Sequence, residues 1–309
     1  MLSKKPFEIP AYLGMLCQDI SPVTTAVAGA DHEVVLESAR QAMEGGFIVP
    51  VLIGDSERIR SLGRNMQWDL TGIRIVDAVE EDMVPDHAVA LVRAGEVGAV
   101  MKGHVHTDSL MAAVVRRDSG LRTDRRLSHI FHMTVPGSDK ALMITDGAVN
   151  INPDVKTKID IVKNAVDLAH ALGNAAPKIA MLSATESVLA AMPSSEDAAT
   201  IVRMAAQGEI KNALIEGPFA FDNAVSPDAA RLKGIHSPVA GNADILVVPN
   251  IETGNSLFKM MVYFMSATAA GIVMGATVPI ILTSRADPPQ ARVAAAALAA
   301  LVAANRPIA

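Results

Sequence analysis

Apolar and amphipathic segments alternate along the whole chain. Eight short segments have the apolar, often β-branched composition of strands, and several are apolar at consecutive positions. Strands that are apolar on both faces are usually buried between helices in a parallel or mixed sheet. The predicted strands are residues 48–53, 73–76, 98–102, 141–145, 178–182, 212–216, 244–249 and 278–283.

Helical periodicity is clearest between the fourth and fifth of these strands. One helical face there is formed by Val155, Ile159, Val162, Val166 and Ala169. Asn152 is the predicted N-cap, Pro153 the first helical residue, and Gly173 closes the helix. Four further helices are predicted, at residues 31–44, 195–207, 255–270 and 287–303. The alternation predicts an α/β fold with mixed or parallel sheets flanked by helices.

Residues 260–284 contain no charged side chain. A membrane-spanning helix needs about 20 predominantly apolar residues, so this segment is long enough to span a bilayer. Polar and helix-breaking residues interrupt it, however, and its second half is short and β-branched. We therefore favour a buried helix followed by a buried strand.

Length and composition indicate a soluble enzyme with two lobes and a cleft. The chain has 309 residues, half of them hydrophobic, with 27 basic and 33 acidic side chains and a net charge of −6. A turn cluster around Gly137 suggests a boundary between lobes. We predict a first lobe of residues 1–137 plus 285–309 and a second lobe of residues 138–284, with the active site in the cleft between them.

Charge and cysteine content exclude some classes of partner and of covalent framework. The chain lacks a Lys/Arg-rich block, which argues against nucleic acid or an anionic membrane as a partner. Cys17 is the only cysteine, so an intrachain disulfide framework is excluded and a reducing cytoplasm is favoured. Pro6 and Pro10 interrupt the N-terminal segment, which does not resemble a signal peptide.

The segment that follows the last predicted strand is the most informative candidate site. In open α/β sheets, ligands bind beyond the carboxyl ends of the strands. Arg285 can bind a phosphate in bidentate fashion, Ser284 can donate or accept a hydrogen bond, and Asp287 can act as a general base. An alternative role for Asp287 is helix capping, because it precedes Pro288.

Other strand ends carry further polar candidates. Asp222 and Asn223 follow the predicted strand at residues 212–216 and are candidate ligand contacts. Gly254 allows close backbone approach to a ligand, and Asn255 either contacts a ligand or caps the helix that follows.

The segment around residues 102–132 combines basic residues and histidines. Lys102 and Thr107 follow a strand and are candidates for binding an anion, and Arg122 is one of five arginines between residues 116 and 126. A metal site is conceivable among four histidines, but no neighbouring carboxylate completes a familiar ligand set, so we predict no metal. These histidines are His104, His106, His129 and His132.

Familiar nucleotide and hydrolase motifs are absent from the sequence. It contains no GxxxxGK[ST] phosphate loop, no GxGxxG after a strand, no GxSxG nucleophile turn and no HExxH. These absences argue against P-loop ATP hydrolysis, a Rossmann dehydrogenase and a serine hydrolase.

Four segments resemble the phosphate acetyl/butyryl transferases (phosphotransacetylases and phosphotransbutyrylases). They are TDGAVNINPD (145–154), FDNAVSPDAA (221–230), GIHSPVAGNADILVVPNIETGN (234–255) and PIILTSRAD (279–287), in the family's order. The resemblance implies a two-lobed fold like that of isocitrate and isopropylmalate dehydrogenases, a homodimer, and acyl transfer between coenzyme A and phosphate. It implies direct transfer in a ternary complex, without a bound cofactor or metal.

The resemblance also implies roles for individual residues. Ser284 and Arg285 match the family's Ser-Arg pair, with Arg285 binding the phosphoryl group, and Thr107 matches a hydroxyl position of the first lobe. In acetyl-specific members the catalytic Asp lies several residues after the pair, whereas here Asp287 follows closely, as in butyryl-type members. An arginine of the acetyl-type first lobe has no counterpart near Ala113.

Two other function classes stay open on the sequence alone. One is a metal-dependent hydroxy-acid dehydrogenase on the same fold. The other is a non-catalytic module that binds coenzyme A or an acyl phosphate, associated with an enoyl-CoA hydratase.

Overall fold

The structure is a computed structural model that describes residues 3–80, 82–117, 120–138, 140–284 and 287–305. Its contacts divide the chain into two compact units. The N-terminal unit comprises Phe7–Arg125 and Ala270–Ala309, and the central unit comprises Met1–Pro6 and Arg126–Ala269. None of the helices in the described ranges combines the length and apolarity that a membrane crossing requires.

Helices and strands alternate in both units. The strands are β1 (Val23–Ala28), β2 (Ile48–Gly54), β3 (Arg74–Asp77), β4 (Ala99–Lys102), β5 (Ser128–Thr134), β6 (Leu142–Thr145), β7 (Lys178–Leu182), β8 (Leu214–Phe219), β9 (Ile245–Val247), β10 (Thr268–Met274) and β11 (Ile280–Ile281). The helices are α1 (Ala11–Leu16), α2 (Glu33–Glu44), α3 (Ser56–Asn65), α4 (Met83–Arg93), α5 (Thr107–Val115), α6 (Val155–Ala171), α7 (Pro193–Ala206), α8 (Phe221–Val225), α9 (Pro227–Leu232), α10 (Ile251–Met265) and α11 (Pro289–Ala304). The predicted α/β fold is confirmed.

The N-terminal unit is built on strands in the order β3-β2-β1-β4-β11-β10. All neighbours in this order are parallel except β10 and β11, which are antiparallel. Helix α11 packs against α2 and against strands β1, β4 and β11, and its residues from Ala291 to Val302 are all buried. Apart from Arg292, the buried residues of this helix are all apolar, which is typical of a core position.

The central unit is built on strands in the order β5-β6-β9-β7-β8. Strands β5 and β6 are antiparallel, and the other neighbours are parallel. The carboxyl ends of β6, β9, β7 and β8 therefore lie along one edge, where the connecting loops of parallel strands meet.

All eight predicted strands are present, with end positions that shift by a few residues. Three strands, β1, β5 and β10, were missed. The prediction for residues 260–284 was wrong in part, because α10 ends at Met265 and two strands follow it. Ser266 breaks the helix by adopting a left-handed backbone conformation, with φ of 52°.

The junctions between the units lie before those expected from the sequence. Beyond a first passage after Pro6, the chain passes between units after Arg125 and after Ala269, whereas the sequence suggested Gly137 and Ser284. Strand pairing explains the difference, because β5 pairs with β6 and β10 forms an antiparallel pair with β11.

Candidate active site

In the N-terminal unit, three predicted site residues lie at the carboxyl edge of neighbouring parallel strands. Ala28 of β1 pairs with Lys102 of β4, and Met101 of β4 pairs with Ile281 of β11. Lys102 is the last residue of β4, and Ser284 follows β11 by three positions. This register groups Lys102, Ser284 and the loop that leads to Thr107 at one edge.

Ser284 and Asp287 form a compact turn. The backbone N–H of Ser284 donates to Oδ2 of Asp287 at 2.7 Å, and the backbone N–H of Asp287 donates to the carbonyl oxygen of Ser284 at 3.1 Å. A carboxylate and a hydroxyl-bearing residue are thereby fixed next to each other. Arg285 lies outside the described residues, and its role stays a prediction.

The alternative in which Asp287 caps the last helix is wrong. Helix α11 begins at Pro289, and its N-cap is Pro288, which has no side-chain capping bond. The Asp287 carboxylate instead accepts a hydrogen bond from the backbone N–H of Ser284.

The loop after β4 is held tightly against the end of β1. The Gly103 N–H donates to the carbonyl oxygen of Ala28 at 2.8 Å, and the His104 N–H donates to that of Gly29 at 3.0 Å. Lys102 is 4% exposed, and its Nζ lies 3.5 Å from the carbonyl oxygen of Gly103. A buried ammonium at a strand end is suited to bind an anion.

Thr107 is the first residue of α5, and His106 is the N-cap of that helix. His104 and His106 thus lie in the loop after β4 and not on a strand. The His104 ring stacks on His32 with a centroid distance of 4.6 Å.

Arg122 lies away from this edge. Its backbone forms an isolated bridge with Ala276, and Thr123 Oγ1 donates to the carbonyl oxygen of Gly275 at 2.6 Å. Residues 275 and 276 precede β11, so they lie at the opposite end of that strand from Ser284.

In the central unit, Asp222 and Asn223 belong to a polar cluster with Glu186 and Lys233. Asp222 and Asn223 lie within the short helix α8. The Asn223 amide donates to Oε2 of Glu186 at 3.2 Å, and Lys233 Nζ lies 3.2 Å from Oδ2 of Asp222. Hydrogen bonding to Lys233 lowers the pKa of Asp222, so this carboxylate is ionised near neutral pH. Ser226 is the N-cap of α9, and its side chain accepts a hydrogen bond from the N–H of Ala229.

Gly254 lies in the first turn of α10, against the end of β6. A Cβ atom at Gly254 would lie 2.8 Å from the carbonyl oxygen of Asp146 and from Cα of Gly147. The absence of a side chain at Gly254 therefore allows α10 to pack closely against the backbone of Asp146 and Gly147.

Asn255 does not cap α10. The N-cap is Asn250, whose Oδ1 accepts a hydrogen bond from the N–H of Thr253. The Asn255 amide instead donates to the carbonyl oxygen of Gly147.

The cap predicted for α6 was also wrong. Asp154 is the N-cap and accepts a hydrogen bond from the N–H of Thr157 at 2.8 Å, whereas the sequence suggested Asn152. Gly173 closes the helix, with φ of 85°.

Asp146 directly follows β6 and was not predicted as a site residue. It is 2% exposed, and its carboxylate accepts from the N–H groups of Ala148, Val149 and Asn150 and from the Asn150 amide. The carboxylate thus organises the turn against which Gly254 packs. That one carboxylate accepts four hydrogen bonds is visible only in the folded chain, so the sequence alone could not single out Asp146.

His129 and His132 lie on β5 and are buried. Burial lowers the pKa of His132 to about 4, so its ring is neutral near pH 7. No cluster of three or more His, Cys, Asp or Glu suited to a metal ion occurs within the part of the chain that the structure describes.

We expect the stability of the protein to fall between pH 7.5 and pH 5 because of His132. The unfolded His132 titrates near 6.5 and the folded one near 4, so the unfolded state binds more protons in this range. The contribution of the neutral ring to the free energy of unfolding is therefore fully present above about pH 6.5. It decreases as the pH falls, by about 2 kcal/mol at pH 5. Urea unfolding of wild type and His132→Gln at both pH values measures this difference. An identical pH dependence of the two proteins would contradict the expectation.

A family model described as "Phosphate acetyl/butaryl transferase" matches residues 83–300. The chain belongs to this family. A protein named phosphate acetyltransferase from Rhizobium meliloti is 48% identical over 93% of this chain and 90% of its own length. A protein named phosphate butyryltransferase from Clostridium beijerinckii is 39% identical over 93% of this chain and 95% of its own length. The resemblance found in the sequence is confirmed.

Solved structures agree with this assignment. A branched-chain phosphotransacylase from Enterococcus faecalis V583 has a TM-score of 0.78 and 31% identity, and covers 91% of this chain and 99% of its own. A 4-hydroxythreonine-4-phosphate dehydrogenase from Burkholderia phymatum has a TM-score of 0.58 at 14% identity, and covers 93% of this chain and all of its own. The second similarity shows only that the fold is shared with a dehydrogenase.

Proposed function

We propose that this protein transfers a short acyl group, from acetyl to butyryl, between coenzyme A and phosphate. The reaction converts acyl-CoA and phosphate into acyl phosphate and CoA, and the reverse. The observation that carries the proposal is that relatives bearing both transferase names align with 93% of the chain. The turn of Ser284 and Asp287 at the carboxyl edge of β11 supplies the groups for this chemistry.

Asp287 is the general base of the proposed mechanism. A thiol has an unperturbed pKa near 8.5, by analogy with cysteine, so the CoA thiol is mostly protonated at pH 7. Asp287 removes this proton, and the thiolate attacks the carbonyl carbon of the acyl phosphate. The new bond joins carbon to sulfur, and the bond from carbon to the phosphate oxygen breaks. Holding both substrates together supplies much of the acceleration.

Three groups stabilise the negative charge that develops on the carbonyl oxygen and on the leaving phosphate. Arg285 binds the leaving phosphate, Ser284 donates to the oxyanion, and the buried Lys102 adds positive charge at the same edge of the N-terminal unit. Thr107, at the start of α5, contributes a hydroxyl to phosphate binding. Asp222, Asn223, Gly254 and Asn255 stay proposed substrate contacts, whereas Arg122, at the opposite end of β11 from Ser284, is given no role in the proposed reaction.

Cys17 does not act as an acyl carrier in this proposal. It is 7% exposed, its Sγ lies 3.7 Å from the carbonyl oxygen of Ala297, and burial raises its pKa to about 11. A buried protonated thiol is a poor nucleophile, which supports direct transfer to CoA. We further propose that the reaction needs no resident cofactor or metal and takes place in the cytoplasm.

Thiol release tests the function directly. Purified protein is mixed with phosphate and acetyl-, propionyl- or butyryl-CoA, and free CoA thiol is measured with a thiol reagent. We expect phosphate-dependent release that persists after dialysis against EDTA. Binding of CoA without release from any of the three donors would identify a binding module and overturn the proposal.

The end of α10 supports a homodimer. Met260, Tyr263, Phe264 and Met265 are apolar and between 40% and 56% exposed. Clusters of exposed apolar side chains commonly mark protein interfaces. We expect light scattering after size exclusion to give twice the chain mass, and Phe264→Glu to shift the mass toward one chain. A monomeric wild-type protein would contradict this part of the proposal.

A further inference from the structure

Arg292 is an unusual residue for its position. It lies in α11 among Ala, Val and Leu residues that are all buried from Ala291 to Val302, and it is itself 5% exposed. Burying a charged side chain costs free energy unless the group is paired or hydrogen-bonded. Its contacts therefore indicate why an arginine occupies this position.

The Arg292 guanidinium contacts the backbone of the proposed catalytic turn. Its Nη1 donates to the carbonyl oxygen of Asp287 at 3.3 Å, and its Nη2 donates to that of Ser284 at 3.1 Å. The two carbonyls belong to Ser284 and Asp287 themselves. One side chain thus holds both residues of the proposed site.

These contacts add to the hydrogen bonds that the turn makes within itself. The Ser284 N–H donates to the Asp287 carboxylate, and the Asp287 N–H donates to the Ser284 carbonyl. The Ser284 carbonyl oxygen accepts from both Arg292 and the Asp287 backbone. Burial lowers the pKa of Arg292, and the negative charge of Asp287 acts in the opposite direction.

We propose that Arg292 is a positioning residue that holds Ser284 and Asp287 in the arrangement required for acyl transfer. The inference rests on the proposed function. In it, Arg292 supports the proposed site without contacting a substrate. The planar guanidinium can reach two carbonyl oxygens with separate N–H groups, whereas a lysine ammonium is a single point charge. The geometry therefore favours arginine over lysine at this position.

Arg292→Ala removes one guanidinium donor from each of the two carbonyl oxygens and allows Ser284 and Asp287 to shift, although the Ser284 carbonyl keeps the Asp287 N–H as a donor. Because a displacement of about 1 Å in a catalytic group can cost about 100-fold in rate, we expect kcat to fall about 30- to 100-fold. The Michaelis constants for acyl-CoA and phosphate should change less than about threefold, because the turn acts mainly in the transition state. Arg292→Lys should lose about 5- to 10-fold in kcat, which is a partial rescue.

Lys158→Ala is the matched control. Lys158 is a buried cation of the central unit, with a side chain 5% exposed, and its Nζ lies 2.7 Å from Oδ2 of Asp197. Among the residues that the structure describes, its side-chain hydrogen bond and ion pair go to Asp197 and not to a proposed site residue. Removing it should lower the melting temperature as Arg292→Ala does, but kcat of the folded protein should stay within twofold of wild type.

The experiment measures kcat, both Michaelis constants, melting temperature and amide hydrogen exchange of the peptide containing Ser284 and Asp287. The expected result is a selective loss of kcat in Arg292→Ala, with faster exchange in that peptide and neither change in Lys158→Ala. Wild-type kcat in Arg292→Ala, or an equal loss in the control, overturns the proposal. If Arg292→Ala does not fold, wild-type kcat in folded Arg292→Lys overturns it.

Failure of the proposed function gives a different result. In that case the wild-type protein releases no thiol from any acyl-CoA. The exchange measurement then still decides whether Arg292 holds the turn: unchanged exchange in Arg292→Ala or Arg292→Lys refutes that role, whatever the turnover.

Discussion

Arg285→Ala is expected to lower kcat/KM for phosphate and acyl-CoA by about 100- to 1000-fold. Removing one preorganised donor to a developing charge typically has this effect on rate. An arginine also binds phosphate through two parallel N–H groups, which alanine cannot replace. The role rests on the position of Arg285 between Ser284 and Asp287 and on the family match over residues 83–300. Steady-state kinetics with varied phosphate measures the loss.

Two variants control this experiment. Arg285→Lys keeps the charge but loses the bidentate geometry, so it should keep more activity than the alanine variant. Arg231→Ala removes an arginine whose side chain is 75% exposed and pairs with Asp228, and it should leave kcat/KM unchanged. If Arg285→Ala retains more than about a third of wild-type kcat/KM, the guanidinium does not bind the reacting phosphate.

The sequence predicts the α/β fold because most strands are continuous apolar runs. The three missed strands lack this signal. Strand β1 includes Thr24 and Thr25, β5 includes the buried polar residues Ser128, His129 and His132, and β10 begins with small residues. Their burial depends on neighbouring strands, which a local pattern does not contain.

Helix ends were harder to predict than helices. Asn152 and Asp154 both have capping side chains, and only the backbone conformation of the folded chain decides that Asp154 caps α6. Asn250 and Asn255 present the same choice at α10. Polar residues close together in sequence compete for one cap, and tertiary packing selects between them.

The candidate site was predicted unevenly for a similar reason. Ser284 and Asp287 were predicted because they follow a strand, and strand ends are where ligands bind. Arg292 was missed because its partners are backbone carbonyls, which leave no trace in the sequence. A lone charged residue within an apolar helix is the one signal that points to it.

Gly103→Ala is expected to destabilise the protein by at least about 3 kcal/mol, at the upper end for an added methyl group. A Cβ atom at this position would lie 2.6 Å from the carbonyl oxygens of Ala28 and Gly29 and 2.7 Å from Cγ1 of Val35. Two of these three atoms belong to the backbone of β1 and the residue after it, so the overlap cannot be relieved by a side-chain rotation. The loop after β4 would have to move away from β1.

Gly14→Ala is the matched control for this substitution. Gly14 lies in α1, and no atom lies within 4 Å of a Cβ atom built there. Alanine has a higher helix propensity than glycine, so this variant should be as stable as wild type or more stable by about 0.5–1 kcal/mol. Urea unfolding of both variants measures the two effects. Equal stability of Gly103→Ala and wild type would show that the contact between the β4 loop and β1 is looser than the structure indicates.

The position of Gly103 connects this stability effect to the proposed site. Gly103 follows Lys102 directly, and its N–H donates to the carbonyl oxygen of Ala28. A displaced loop would move Lys102 and the start of α5 at Thr107 together. Folded Gly103→Ala should therefore show a raised KM for phosphate, whereas Gly14→Ala should not. A loss of stability without a change in the KM for phosphate would show that the packing of this loop does not affect anion binding by Lys102 and Thr107.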